Sequence, residues 1–149
     1  MNNQLEHSLD IKNILRKHKS IKKTLLNRSN FIEKNIAILG GSTTSAVKKI
    51  LELFLLKNGI KPNIYESEYN KFYEDALFGN DTLDKFKPDI VYIHTTNQNI
   101  NKYPELEDSP NEIDTLLRNE IERYKSIWQS LCKYDCSIIQ NNLGCSHFF

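Results

Sequence analysis

No apolar run in the 149 residues approaches the roughly 20 needed to cross a bilayer. The start, Met1-Asn2-Asn3-Gln4-Leu5-Glu6-His7, lacks the basic-then-apolar layout of a secretory leader. With only five Gly and four Pro, the chain is not fibrous or low-complexity, and at 39% apolar it is no disordered tail. The three cysteines, Cys132, Cys136 and Cys145, are odd in number and lack the paired spacing of zinc modules. Reduced thiols, no metal, no cofactor and a cytoplasmic location are the expectation, with a length that suits one domain.

Charge of one sign is also missing. The net charge is +1, so no overall basic surface for nucleic acid is implied. The sum hides an asymmetry: residues 1–35 hold eight Lys/Arg against three Asp/Glu, residues 36–149 twelve against sixteen.

The basic part has helical spacing. Leu5, Leu9, Ile11, Ile14, Leu15, Ile21, Leu25 and Leu26 recur at steps that place them on one face of a helix over 5–27. Its other face carries Lys12, Arg16, Lys17, Lys19, Lys22, Lys23 and Arg28, a solvated face or a surface for an acidic partner. The expected division is therefore a basic amphipathic helix over 1–30 and an α/β domain over 31–149.

From residue 35 the pattern alternates between strands and helices. Asn35 to Leu39, Asn63 to Glu66, Pro88 to His94 and Cys136 to Gln140 read as strands, the apolar ones buried on both faces. Helices are expected after Thr44, through Val47, Ile50, Leu51, Phe54 and Leu55 to Lys57 with Gly59 as the stop, from Glu68 to Phe78 with Ser67 as a cap, and from Pro110 to about Lys133 behind a Ser109 cap. Crossovers of this length require a mostly parallel sheet. Right-handedness then favours a flavodoxin-like three-layer sandwich with strand order 2-1-3-4. Ligands of such sheets bind beside the carboxyl ends of the first and third strands, here the loops starting at Gly40 and Thr95.

Gly40-Gly41-Ser42-Thr43-Thr44 opens onto a helix start, whose free N–H groups suit an anion or an oxyanion. Ser42 is a candidate nucleophile or a plain helix cap. Neither the Lys of a nucleotide P-loop nor a G-x-G-x-x-G pattern is present. In the second loop Asn97 is placed to donate to an oxyanion, while His94 is either a base for Ser42 or a packed strand histidine. Thr95, Thr96 and Glu66 stand beside the same edge as ligand contacts.

Several of these segments together carry a resemblance. Phe31-Ile32-Glu33-Lys34, Gly40-Gly41-Ser42-Thr43-Thr44, Tyr65-Glu66-Ser67-Glu68-Tyr69, Lys87-Pro88-Asp89, His94-Thr95-Thr96-Asn97 and Ile139-Gln140-Asn141-Asn142 resemble the N-terminal region of FkbH-like proteins. There an SGNH-hydrolase-like domain precedes a haloacid-dehalogenase-type (HAD) domain. The resemblance implies that Gly40-Gly41-Ser42 stands for the G-D-S block, with Gly41 replacing the Asp and Ser42 at the nucleophile position. It sets Asn97 in the place of the G-x-N-D oxyanion donor. The D-x-x-H block has no counterpart: in Gly144-Cys145-Ser146-His147 a Gly occupies the acid position. No Asp-x-Asp of HAD chemistry occurs.

By this resemblance the chain is a separated or shortened N-terminal module, incomplete at its C-terminal end. Full-length relatives load glyceryl-type units from a phosphorylated three-carbon donor onto an acyl carrier protein, for polyketide or surface-polysaccharide synthesis. Binding or docking without ester cleavage is the leading expectation. An acyl carrier protein or a separately encoded HAD domain is the implied partner, with a small acyl or phosphorylated three-carbon ligand. The rivals are a working serine esterase or acyltransferase using Ser42 with His94 or His147, and a phosphate-binding flavodoxin-like module.

Overall fold

The computed structural model describes residues 10–28 and 30–143. Four strands, β1 (Ile32–Gly40), β2 (Ile60–Glu66), β3 (Ile90–His94) and β4 (Ser137–Gln140), form one sheet in the order β2-β1-β3-β4. All three pairings are parallel, with Ile38 opposite Glu66, Gly40 opposite His94 and Ile93 opposite Gln140. This is the flavodoxin-like order expected from the crossover rules.

β1 and β2 each begin three residues earlier than the apolar runs suggest. Their first residues are exposed or half-buried, and Lys61 pairs with Glu33 across the strands, so the pairing there leaves no continuous apolar signature. Pro62 sits within β2 because β2 is an edge strand, where a missing N–H deprives no neighbour of a hydrogen bond.

Alternation along the strands sorts the core. Ala37, Leu39, Val91 and Ile93 face α4 (Phe72–Phe78), α5 (Asp81–Phe86) and α6 (Pro110–Leu131), where Phe72, Ala76, Leu83, Tyr124, Ile127 and Leu131 are buried. α3 (Ser45–Lys57) covers the opposite face, and α1 (Ile11–Arg16) and α2 (His18–Leu26) pack on it through Ile14, Leu25, Leu53 and Leu56. Beside α3 that face keeps an open apolar groove of about 470 Å³, lined by Ile36, Ile50, Phe54, Ile90, Tyr92 and Ile139 among others.

Three expectations need correction. The lead helix is two helices that break at Lys17, because no apolar residue between Leu15 and Ile21 continues the stripe; residues 5–9 lie outside the described part. Its basic face is largely solvated, as expected: Lys12, Arg16, Lys17, Lys19, Lys23 and Arg28 are exposed, while half-buried Lys22 joins His18 in reaching Glu52 of α3. The helix expected from Glu68 starts only at Phe72, and α5 follows it unforeseen. The reason lies in two local features, Gly79 at φ +77°, where a Cβ would be strained, and Asn80, whose Oδ1 accepts from the Thr82 N–H at 2.8 Å as an N-cap. Finally, the N-terminal half of α6 stands clear of the sheet: Ile113, Leu117 and Ile121 are exposed, and only Tyr124, Ile127 and Leu131 are buried.

The start of α6 follows its sequence signature. Ser109 accepts from the Glu112 N–H, the Glu112 carboxylate reaches back to the Ser109 N–H, and Pro110 occupies the first turn. The helix gives way at Cys132 to a single turn, Cys132–Tyr134. Among the described residues no helix is long and apolar enough to cross a membrane.

Candidate functional site

The carboxyl ends of β1, β2 and β3 meet in a set of backbone and carboxamide contacts. Gly41 N–H donates to the His94 carbonyl at 2.9 Å, extending the β1–β3 ladder by one step. Ser67 N–H donates to the Ile38 carbonyl, and the Ser67 hydroxyl accepts from Gly40 N–H, both at 2.9 Å. Ser67 therefore holds the Gly loop instead of capping a helix, as the sequence suggested. Two N–H groups of the loop are thereby occupied within the protein.

Glu66 is similarly engaged. Its two oxygens accept from the Thr44 hydroxyl at 2.6 Å and the Lys48 ammonium at 2.7 Å, tying the end of β2 to the start of α3. Partial burial works to raise the Glu66 carboxyl pKa, but the Lys48 and Thr44 bonds outweigh it and hold the group below its usual value. Thr44, not Ser42, occupies the N-cap position of α3, and its hydroxyl is turned to Glu66.

Ser42 is half-buried, Thr43 is exposed, and the Ser42 hydroxyl makes no hydrogen bond among the described residues. His94 shares its strand face with Tyr92, and its Nδ1 lies 3.2 Å from the Tyr92 hydroxyl, with the ring centroids 5.8 Å apart. No hydrogen bond joins His94 to Ser42. Residues Gly144, Cys145, Ser146 and His147 lie outside the described part.

The β3 loop closes on itself through Asn99. Its Oδ1 accepts from Thr96 N–H at 2.8 Å and from the Thr96 hydroxyl at 3.3 Å, capping the short turn Asn97–Asn99. Its Nδ2 donates to the Gly41 carbonyl at 2.8 Å. The carboxamide that reaches the Gly loop is thus Asn99, two residues after the one singled out by sequence. Asn97 accepts from the Tyr103 hydroxyl through its backbone carbonyl at 2.6 Å, and Asn97 and Ser42 share no hydrogen bond.

Thr95 is fully buried, and both its backbone groups go to one side chain. Asn141 Oδ1 accepts from Thr95 N–H at 3.0 Å, and Asn141 Nδ2 donates to the Thr95 carbonyl at 2.7 Å. The Thr95 hydroxyl is buried without a partner among the described residues. Beyond Asn99 the edge opens into a cavity of about 410 Å³, with Asn70, Tyr73, Glu74, Gln98, Asn101 and Arg123 in its lining. Arg123 comes from α6 and was not foreseen; its only sequence trace is the Glu120-x-x-Arg123 spacing on a helix.

Cys136 sits partly buried, which pushes its thiol pKa up and keeps it protonated; Cys132 Sγ donates to the Trp128 carbonyl. Among the described residues no group of three or more His, Cys, Asp or Glu is placed to hold a metal ion.

No family model matches this sequence, and no curated relative does. A solved structure does match in fold. It is the N-terminal part of the protein BF1531 from Bacteroides fragilis, which contains a phosphatase domain and is complexed with Mg. The likeness has a TM-score of 0.62 at 14% identity and covers 88% of this chain. It is a likeness of fold. The chain spans about a third (35%) of the matched one.

Proposed function

We propose that this chain is an SGNH-like N-terminal module of an FkbH-type protein, and that its carboxyl edge binds or docks an acyl or carrier-linked ligand without cleaving it. One observation carries the reading. Among the described residues the Ser42 hydroxyl has no hydrogen-bonded base: His94 contacts the Tyr92 hydroxyl through Nδ1 and makes no bond to Ser42, and Glu66 is held by Thr44 and Lys48. An unassisted serine is a poor nucleophile. The phosphatase domain belongs to the longer neighbour, and this sequence has no Asp-x-Asp with which to reproduce such chemistry. Group loading onto an acyl carrier protein is accordingly proposed for this module together with a separately encoded HAD-type domain.

The phosphate-binding alternative has less support. Gly40 and Gly41 N–H groups point to Ser67 and His94, and the Glu66 carboxylate stands next to the helix start that would receive an anion.

A p-nitrophenyl acyl ester assay tests the reading. No turnover above background is expected from the wild type or from Ser42→Ala. Hydrolysis by the wild type that disappears in Ser42→Ala establishes the esterase instead. Titration of an acylated carrier protein, followed by amide shifts at residues 41–44 and 95–99, tests docking; a spectrum without shifts removes it.

A further inference from the structure

The cavity beyond Asn99 has a lining with a consistent chemical character. Arg123 is fixed from three sides. Its Nε and Nη2 bond the Glu120 carboxylate at 3.1 and 2.6 Å, Nη2 also donates to the Asn99 carbonyl, and its guanidinium carbon lies 5.0–5.9 Å from the ring centroids of Phe72, Tyr73 and Tyr124. The side chain is only 18% exposed. Its Nη1 keeps both protons unpaired among the described residues, on a group that holds one geometry.

Around it stand exposed polar side chains with hydrogen-bonding capacity to spare. The side chains of Gln98, Asn101 and Glu74 make no hydrogen bonds among the described residues. Asn70 uses only its Oδ1, as a long acceptor from Asn99 at 3.4 Å. The free set therefore contains donors (Arg123 Nη1 and the carboxamide NH2 groups) and acceptors (the Glu74 oxygens and the carboxamide carbonyls) in near balance. The charge balance gives no excess of cation for an anion: Glu120 cancels Arg123, and Lys71, the cation near Glu74, is itself ion-paired to Glu68 at 2.7 Å. Half-buried Tyr73 supplies the apolar part of the wall, since Phe72 belongs to the buried core.

We infer that this cavity is a subsite for an uncharged, polyhydroxylated ligand, a mono- or disaccharide or a saccharide end group. Each sugar hydroxyl can donate to Glu74 or a carboxamide carbonyl while accepting from Arg123 or a carboxamide NH2, and its C–H face suits the aromatic wall. The subsite abuts the Gly loop, since Asn99 lines the cavity and bonds the Gly41 carbonyl. It does not depend on Ser42 or on a carrier protein, so it stands or falls apart from the function proposed above.

The test is an amide-shift titration of the whole 149-residue chain with maltose, N-acetylglucosamine and methyl β-galactoside, and in separate arms with lactate and inorganic phosphate. At least one saccharide is expected to give saturable shifts of the Asn70, Gln98 and Asn101 side-chain amides at millimolar concentration. Asn101→Ala, on the rim, is expected to weaken that binding about tenfold, as loss of a hydrogen bond to a fixed partner does. Arg123→Lys keeps the charge but removes the fork and is expected to weaken it at least as much. If Arg123→Lys fails to fold, Gln98→Ala provides the second variant. The inference is overturned by an absence of saturable shifts from all three saccharides, by tighter binding of lactate or phosphate, or by saccharide binding that the rim variants leave unchanged.

Discussion

The Asn99 carboxamide nitrogen donates to the Gly41 carbonyl oxygen across 2.8 Å, joining residues 58 apart in sequence. The same side chain accepts from Thr96, so one carboxamide both shapes the β3 loop and pins the Gly loop to it. A Cβ built on Gly41 meets the Asn99 side-chain atoms at 2.5 Å, which makes Gly at 41 a steric requirement of this contact.

This pair defines a double-mutant cycle. Asn99→Ala leaves the Gly41 carbonyl and Thr96 N–H without their partner and is expected to cost about 1–3 kcal/mol in urea unfolding. Gly41→Ala alone is expected to cost a similar amount by displacing the Asn99 amide. The double variant is expected to cost less than the sum, since removing the carboxamide clears the space that the new methyl needs. Additive losses would show that the two loops are held together by something else.

Asn141→Ala removes both partners of the buried Thr95 backbone. The expected loss is about 2–3 kcal/mol, with faster hydrogen exchange at Thr95 N–H and at its neighbours in the β3 loop. Unchanged exchange at Thr95 would mean that Asn141 is replaceable there.

The Glu66 carboxyl is held below its ordinary value of 4.5 in the folded chain, because the Lys48 and Thr44 bonds outweigh the opposing effect of burial. Such a group adds stability that is complete above the unfolded-state pKa and disappears as pH falls through the lower, folded-state value. Urea titrations from pH 7 down to pH 3 should therefore show wild-type stability declining below about pH 4.5, the usual range for carboxyl titration. In Glu66→Gln the neutral-pH stability is expected to be lower and the acid decline shallower. Parallel pH curves for the two proteins would refute the linkage.

α6 offers an internal contrast between its two halves. Ile127 is fully buried against the sheet, whereas Leu117 is 58% exposed. Ile127→Ala is expected to destabilise by about 2–5 kcal/mol, and Leu117→Ala by less than about 0.5 kcal/mol. Comparable losses at the two positions in thermal or urea unfolding would show that the first half of α6 is covered in solution.

The sequence by itself determined the architecture. Apolar runs at Ile36–Leu39 and Ile90–Ile93 mark strands buried on both faces, and the crossover lengths with their fixed hand leave the order β2-β1-β3-β4. The Ser109-Pro110-x-Glu112 start of α6 was equally legible, because a capping box involves only neighbours in the chain. Both signals are periodic or local, which is why they survive in one dimension. The partners at the sheet's edge are not local. Which Asn reaches Gly41, where the Ser67 hydroxyl goes, whether Glu66 is free, and that Arg123 arrives from a distant helix all depend on how loops from four elements meet above the strands. A hydrogen bond between residues 58 apart follows no period, so only the tertiary packing that brings both ends to one rim decides it.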